Sequence, residues 1–499
     1  MTISPDTTAD SRRAEPGGGA LDRVFKLAAH GTSVRTEVAA GLTTFMVMAY
    51  IVFVNPVILG FVGVPALAGR GLPVAATATA TALVAGVMTI AMGLYTNRAF
   101  AVASGLGLNA VVAFQLVAVQ GLTPAEAMGV IVIEGFIILL LTQTNFREAI
   151  MLAIPLELKR AIAVGIGLFI AFIGFVNAGF VVPGAGTPVA LATLTGLPIL
   201  VAVFGLVVTI LLRTAGERIH PVLARGYLLF GIVLTTIFAT VVNESLGGTS
   251  FSTPGVALWP TDFTATPDFS TIGEFSLTGV FAKLGLVTAL LVIFSIMLSD
   301  FFDTMGTLVG VGAKAGYLDE RGAFKDVKRP LLVDSLAAMA GGAASASSAT
   351  TYIESAAGVE AGGRTGLTSV VTGVCFLLMM FVAPLVGMVP AQATAPALIL
   401  VGWMMMTSLA MTDDSQEGVS VRRSAIAFDN FEIGFPAAVT ILLMPFTYSI
   451  TNGIGAGLLL YTLIQLFVGK GRSVHPALYI VSAAFLIYFL DAWLRPLLT

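Results

Sequence analysis

The sequence predicts an all-α polytopic membrane protein whose fourteen spans form a seven-plus-seven inverted repeat. Three observations carry that reading. The chain of 499 residues is 57% hydrophobic and only 11% charged, with a mean hydropathy of +0.96, whereas soluble domains carry about 25% charged residues. The apolar residues come as continuous runs, as helical crossings of about 20 residues require, and not in the alternation of a membrane β-barrel. The basic residues collect in every second connection. A soluble enzyme, a nucleic-acid-binding protein and a disordered scaffold are excluded together. The net charge of -3 points to no partner beyond the lipid bilayer. The single cysteine, Cys375, lies in an apolar run, which leaves neither a disulfide framework nor a thiolate metal cluster.

Residues 1–20 are polar, with Pro5, Pro16 and Gly17-Gly18-Gly19. They lack an apolar centre and read as a disordered cytoplasmic tail, not a signal peptide. Residues 21–30, LDRVFKLAAH, read as an amphipathic helix on the membrane surface. The first-half crossings are expected near 39–59, 74–95, 100–119, 126–143, 157–178, 197–213 and 223–243. A polar loop, 244–276, separates the halves. The second-half crossings are expected near 280–312, 327–344, 346–362, 366–388, 391–410, 433–451 and 453–469. The run 476–494 is one apolar helix more, either a fifteenth span or an in-plane helix.

With the N-terminus in the cytoplasm, the even-numbered loops carry Arg98; Arg147, Lys159 and Arg160; Arg213, Arg218 and Arg225; and Lys314, Arg321, Lys325, Lys328 and Arg329. Arg364, Arg422, Arg423, Lys470 and Arg472 continue the series. Arg70 is the exception, and Lys283 sits at the edge of the eighth crossing. The loop 244–276 has no basic residue but holds Glu244, Asp262, Asp268 and Glu274, so it reads as extracytoplasmic.

The third crossing contains FAVASGLGLNA (100–110) and its counterpart in the second half contains GGAASASSATTYIESAAG (341–358). Glycine and serine at this density weaken a helix. Interrupted segments at matching positions of two halves mark the midplane site of a transporter, although small residues also serve plain helix packing.

Charged side chains within crossings cost roughly 2.5–3.5 kcal/mol each and are functional by default. The candidates are Glu134, Asp300, Asp303, Asp334 and Glu354. His30, His220 and His475 all lie outside the crossings, so proton coupling falls to carboxylates, with Asp303, Glu354 and Asp300 as the proton-carrying candidates. Asp300 and Asp303 share one helix face. Glu354 follows a Ser/Thr-rich stretch ending in Thr351, near which a half-helix is expected to begin. Ser104 and Gly105, with Gly107, offer backbone groups from the other broken segment, and Asn109 adds an amide that both donates and accepts. This set suits a small, flat, uncharged ligand rich in N–H and C=O groups. Phe45, Tyr50, Phe301 and Phe302 are possible stacking partners, though membrane aromatics more often pack. Glu134 and Asp334 are read as structural, each bonded to a neighbouring helix. GVGAKAG (310–316) has the look of a dinucleotide loop but follows no strand, and Asn243-Glu244-Ser245 fits a glycosylation pattern common by chance.

These stretches carry a resemblance. KLAAHGTSVRTEVAAGLTTFMVMAYIVFVNP (26–56), FAVASGLGLNA (100–110), SDFFDTMGTLVGVGAKAG (299–316), TTYIESAAGVEAGGRTGLT (350–368) and TAPALILVG (394–402) resemble the nucleobase–cation symporter family, in its adenine/guanine/hypoxanthine permease branch. The resemblance implies a core domain from 39–143 and 280–388 that holds substrate. It implies a gate domain from 157–243 and 391–469 that also meets a second protomer as a homodimer. Asp303, Glu354 and Asn109 match the family's binding positions, while Ser104 stands where members usually have proline. The implied activity is proton-coupled uptake of purine nucleobases across the cytoplasmic membrane, driven by the proton gradient with no cofactor and no metal. Xanthine or uracil transport is the nearest alternative. An inorganic anion carrier of the same fold would not place two carboxylates at its substrate. A prenyltransferase would need a second acidic motif beside basic residues, and a channel a filter ring that is not found.

Overall fold

Side-chain caps at Ser33, Thr365, Asn430 and Ser449 open four of the helices. The structure, a computed structural model, describes residues 20–143, 154–317, 324, 326–407 and 426–498. Residues 1–19 of the expected tail, and Arg147, Arg321, Lys325, Arg422 and Arg423, lie outside the described residues. The surface helix expected at 21–30 is broken. α1 (Ala20–Phe25) ends at Lys26, whose φ of 56° no helix tolerates, and a single 3-10 turn follows at Ala28–His30. Phe25 and Leu27 are buried against Leu367, so this segment is pinned to protein. Ser33 then accepts the Thr36 N–H and opens α2 (Val34–Met48), ahead of the apolar run itself.

The chain continues as α3 (Ile51–Leu59), α4 (Val74–Thr96), β1 (Val102–Ser104) and α5 (Leu106–Ala110), the last widening into a π-helical stretch at Val111–Val119. α6 (Pro124–Gln143), α7 (Leu156–Asn177), a small hairpin of β2 (Val181–Val182) and β3 (Ala190–Leu191), α8 (Leu197–Ile219), α9 (Pro221–Arg225) and α10 (Tyr227–Ser245) complete the first half. The second half holds α11 (Gly279–Leu284), α12 (Leu286–Ala315), α13 (Lys328–Ala343), β4 (Ala349–Thr351), α14 (Ser355–Glu360) and α15 (Gly366–Met379). It ends with α16 (Ala383–Gly387), α17 (Ala391–Met406), α18 (Phe431–Thr447), α19 (Ile450–Phe467) and α20 (Pro476–Leu498). Each of the fourteen expected ranges thus holds a helix or a broken segment. Among the described residues, nine helices are long and apolar enough to cross a membrane, and Leu106–Val119, α17 and α18 are shorter apolar helices.

Packing repeats between the halves with the partners exchanged. α4 of the first half lies along α15 of the second, and α13 of the second lies along α6 of the first. α8 packs on α10 as α18 packs on α19, and α7 meets α18 as α17 meets α8. A two-fold relation between the halves produces this exchange. α4 and α15 approach so closely that a Cβ on Gly93 would lie 2.4 Å from the Gly366 carbonyl, and one on Gly366 would lie 1.9 Å from that of Gly93. Backbone contact between small residues is how membrane helices associate without a hydrophobic driving force. The start of α15 is closed by Glu37, a carboxylate the sequence reading passes over. It accepts the N–H groups of Arg364, Thr365 and Thr368 and the Thr368 hydroxyl at 2.6–3.3 Å, which suits the positive end of a helix.

The two irregular basic residues have local partners. Arg70 donates to the Val117 carbonyl at 2.7 Å, and Lys283 donates to that of Gly121. Both neutralise carbonyls at the C-terminal end of the third crossing. The 310–316 glycines finish α12, with Gly316 in the left-handed region at φ 72° as its cap. Asn243 is buried, donates to the Ala257 carbonyl and accepts the Ser250 N–H, so it shapes a turn. α20, roughly 34 Å long at 1.5 Å per residue, packs along α19 and α12.

Candidate functional site

Both interrupted crossings are broken by the same device. Each runs in as a short strand, and the two strands pair antiparallel, with Val102 opposite Thr351, Ala103 opposite Thr350 and Ser104 opposite Ala349. Backbone groups left unpaired inside a bilayer cost several kcal/mol, and this pairing satisfies them where helix is absent. The β-branched residues Val102, Thr350 and Thr351 favour the strand. The turn into β4 holds Ser345 and Ser347 at φ 60° and 67°, a conformation that costs a serine of order 1–3 kcal/mol. Cross-links hold the junction. The Gly105 N–H donates to the Ser348 carbonyl at 2.9 Å, and the Tyr352 N–H to that of Ala101 at 2.9 Å. The Tyr352 hydroxyl donates to the Ser104 carbonyl.

A cavity with about 400 Å³ of empty space, its mouth included, opens beside this junction. Asp303 and Thr307 reach it from α12, Thr351, Tyr352, Ile353 and Glu354 from the end of β4, and Gly105, Leu106 and Gly107 from the start of α5. Tyr50 comes from the break between α2 and α3, and Val401 and Met405 come from α17. The cavity therefore lies between the bundle that holds the broken segments and the helix α17. The Tyr50 hydroxyl donates to Glu354 Oε1 at 2.9 Å. Asp303 and Glu354 are both half-buried. Two carboxylates, hydroxyls and an apolar wall can grip a flat heterocycle by its N–H edges and cover its faces.

The structure brings Asp303, Glu354, Gly105 and Thr351 together on the cavity lining. Ser104 and Asn109 do not line it. The Ser104 hydroxyl donates to the Ala346 carbonyl at 2.6 Å, which spends it on the junction. Asn109 is fully buried, and neither atom of its amide has a partner among the described residues. Asp300 lies off the lining, against Ser348. Asp334 accepts the Thr351 N–H and hydroxyl, both at 2.7 Å, and the Thr304 hydroxyl at 2.8 Å, so it clamps β4 to α12 and α13. Of the aromatics, Tyr50 lines the cavity by way of its hydroxyl, while Phe45 packs edge-on against Phe376, and Phe301 against Phe302. Sequence reasoning missed Tyr352, Thr307, Ile353, Val401 and Met405. The first three sit within four residues of Asp303 or Glu354, and that proximity was the available signal. Val401 and Met405 carry none.

Comparisons with known proteins give the family and the fold. A profile of the permease family (Xan_ur_permease) matches residues 35–428. Adenine permease AdeP of Escherichia coli (strain K12) is 40% identical over 95% of this chain and 98% of its own length. Guanine/hypoxanthine permease PbuG of Bacillus subtilis (strain 168) is 36% identical over 92% of this chain and 97% of its own. Among solved structures, the transmembrane domain of a cyanobacterium bicarbonate transporter, BicA, superposes with a TM-score of 0.56 at 15% identity, over 85% of this chain and 97% of that one. Murine Solute Carrier 26 family member A9 in its inward-facing state gives 0.59 at 13%, over 92% and 74%. At such identities the likeness is one of fold. The chain belongs to the permease family, alongside relatives named as adenine and guanine/hypoxanthine permeases.

Proposed function

We propose that the protein imports purine nucleobases (adenine, guanine or hypoxanthine) across the cytoplasmic membrane, coupled to protons. The observation that carries this reading is the pair Asp303 and Glu354 on one small cavity between the broken segments and α17. Adenine and guanine/hypoxanthine transport is named for relatives aligned over nearly the whole chain. Glu354 accepts hydrogen bonds from ring N–H groups, and Asp303 takes the opposite edge. Gly105 and Thr351 line the same space. Val401 and Met405 cover the base. The bundle of α2–α6 and α12–α15 acts as core, and α7–α10 with α17–α19 acts as gate. Relative motion of the two exposes the cavity on alternate sides. The N-terminus faces the cytoplasm, as the basic residues of the even loops favour. The gate meets a second copy of the chain; α8, with Leu200, Val207 and Leu211 about half exposed, offers an apolar face for it.

Labelled uptake in cells lacking their own purine permeases tests the reading, with adenine, guanine, hypoxanthine, xanthine and uracil as competitors. Saturable uptake blocked by the first three is expected, and it stops when the proton gradient is collapsed. Competition by xanthine or uracil alone would contradict the substrate class, and equal uptake by Glu354→Ala would contradict the site.

A further inference from the structure

A second group of carboxylates gathers off the cavity lining, at the turn before β4. The Ser348 hydroxyl lies 2.8 Å from Asp300 Oδ2 and 3.1 Å from Glu134 Oε1. A hydroxyl has one hydrogen, so it donates to one carboxylate at a time. One hydroxyl within hydrogen-bonding reach of both places the two carboxyl groups side by side. Their other oxygens, Glu134 Oε2 and Asp300 Oδ1, are buried without a hydroxyl or amide donor. Both residues are buried, at 0% and 1% exposure. Among the described residues, neither is ion-paired to a lysine or arginine. Two bare carboxylates side by side in a bilayer interior have nothing to offset their repulsion and desolvation. One proton on the pair completes the set: it neutralises one carboxyl group, and Ser348 donates to the group left ionised.

We propose that the Glu134–Asp300 pair, bridged by Ser348, is the site that carries the coupled proton, apart from the base-binding carboxylates Asp303 and Glu354. This rests on the reading of the protein as a proton-coupled importer. Loading forms one O–H bond on the pair with a proton from outside. Release breaks that bond and leaves the proton in inside water; the emptied pair, with Ser348 donating to only one of its two carboxylates, draws in the next proton because its repulsion is not offset. The link to the cavity is short: Asp300 is three residues from Asp303 on α12, and the Ser348 carbonyl holds the Gly105 N–H. The ionisable groups facing the pair from packed elements are Asp334 on α13, held by Thr304 and Thr351, and Asp303 on α12. Beyond them lie Glu354 at the cavity, Lys283 on α11, bonded to Gly121 and 3.9 Å from Glu126, and Lys159 on α7, over the Phe302 ring.

The test uses purified full-length protein in proteoliposomes. Hypoxanthine counterflow without a gradient reports binding and alternation; accumulation under an imposed pH gradient reports coupling, with about tenfold the ceiling per proton per pH unit. Glu134→Gln and Asp300→Asn are expected to keep counterflow and to lose accumulation and proton flux. A carboxamide leaves one neutral group and one carboxylate beside Ser348, as in the loaded pair. Ser348→Ala, which keeps both carboxyl groups, is expected to shift the pH dependence of accumulation. Wild-type accumulation by both single-carboxamide variants would overturn the proposal. So would loss of counterflow by both while folded, or accumulation driven by a sodium gradient in place of protons. Absence of counterflow by the wild type with hypoxanthine, adenine and guanine would instead overturn the functional reading.

Discussion

The two broken crossings are alike in backbone and unlike in chemistry. Each contributes one three-residue strand to the same antiparallel pair and then resumes as helix. The first, through Val102–Ser104 and α5, brings no ionisable group, and its polar side chains, Ser104 and Asn109, are turned away from the cavity lining. The second, through Ala349–Thr351 and Glu354, is wired to carboxylates on three helices: Asp334 to Thr351, Asp300 and Glu134 to Ser348, and Asp303 across the cavity. The difference teaches that inverted repeats share a backbone solution to breaking a helix in a membrane, while each arm is free to specialise. On the proposed reading, the first arm is scaffold and the second is the reactive edge.

That contrast predicts a gradient of mutational effects. The largest is expected from Asp334→Ala, which leaves the Thr351 N–H, the Thr351 hydroxyl and the Thr304 hydroxyl without an acceptor, at about 1–3 kcal/mol for each buried group. Thermal unfolding of the purified protein should show a clear loss of stability. Asp334→Asn, which retains a carbonyl oxygen for Thr351, should recover much of it. Glu354→Ala should leave folding nearly intact and weaken purine binding by roughly ten- to a hundredfold, the worth of a hydrogen bond to a charged group, as measured by isothermal binding. On the scaffold arm, Ser104→Ala removes one hydroxyl bond to the Ala346 carbonyl and should cost about 1 kcal/mol of stability, with affinity nearly unchanged. If Ser104→Ala damages affinity as much as Glu354→Ala, the division between scaffold and reactive edge breaks. The smallest effect is expected for Tyr50→Phe. Its hydroxyl holds one oxygen of Glu354, which cavity water can replace, so uptake affinity should change by about threefold or less.

Part of this was legible before any coordinates, for definite reasons. Carboxylates inside crossings are costly, so Asp303 and Glu354 stood out by scarcity. The Gly/Ser density at 100–110 and 341–358 showed where the helices would fail. Other features left little trace. Glu37 lies just before the first expected crossing, outside the ranges in which a charge stands out, yet it closes α15 from across the bundle. The break at Lys26 comes from a backbone conformation that composition does not encode. Sequence offers Tyr50 only as a stacking ring; that its hydroxyl also bonds Glu354 is visible only once the fold brings the two together. Val401 and Met405 are ordinary membrane residues in sequence, and only the packing of α17 makes them a wall. From sequence, Ser104 offers backbone groups and Asn109 an amide to a ligand. The strand pairing, which local sequence shows only weakly, turns Ser104 into a strut and sets Asn109 off the lining.

The claim that the second broken segment holds the base is tested most directly by equilibrium binding of labelled hypoxanthine, adenine and guanine to purified wild type, Glu354→Gln and Ser104→Ala. The expected result is saturable binding of at least one purine by the wild type, weakened by about tenfold or more in Glu354→Gln and within about threefold in Ser104→Ala. Wild-type affinity in a folded Glu354→Gln protein would contradict it.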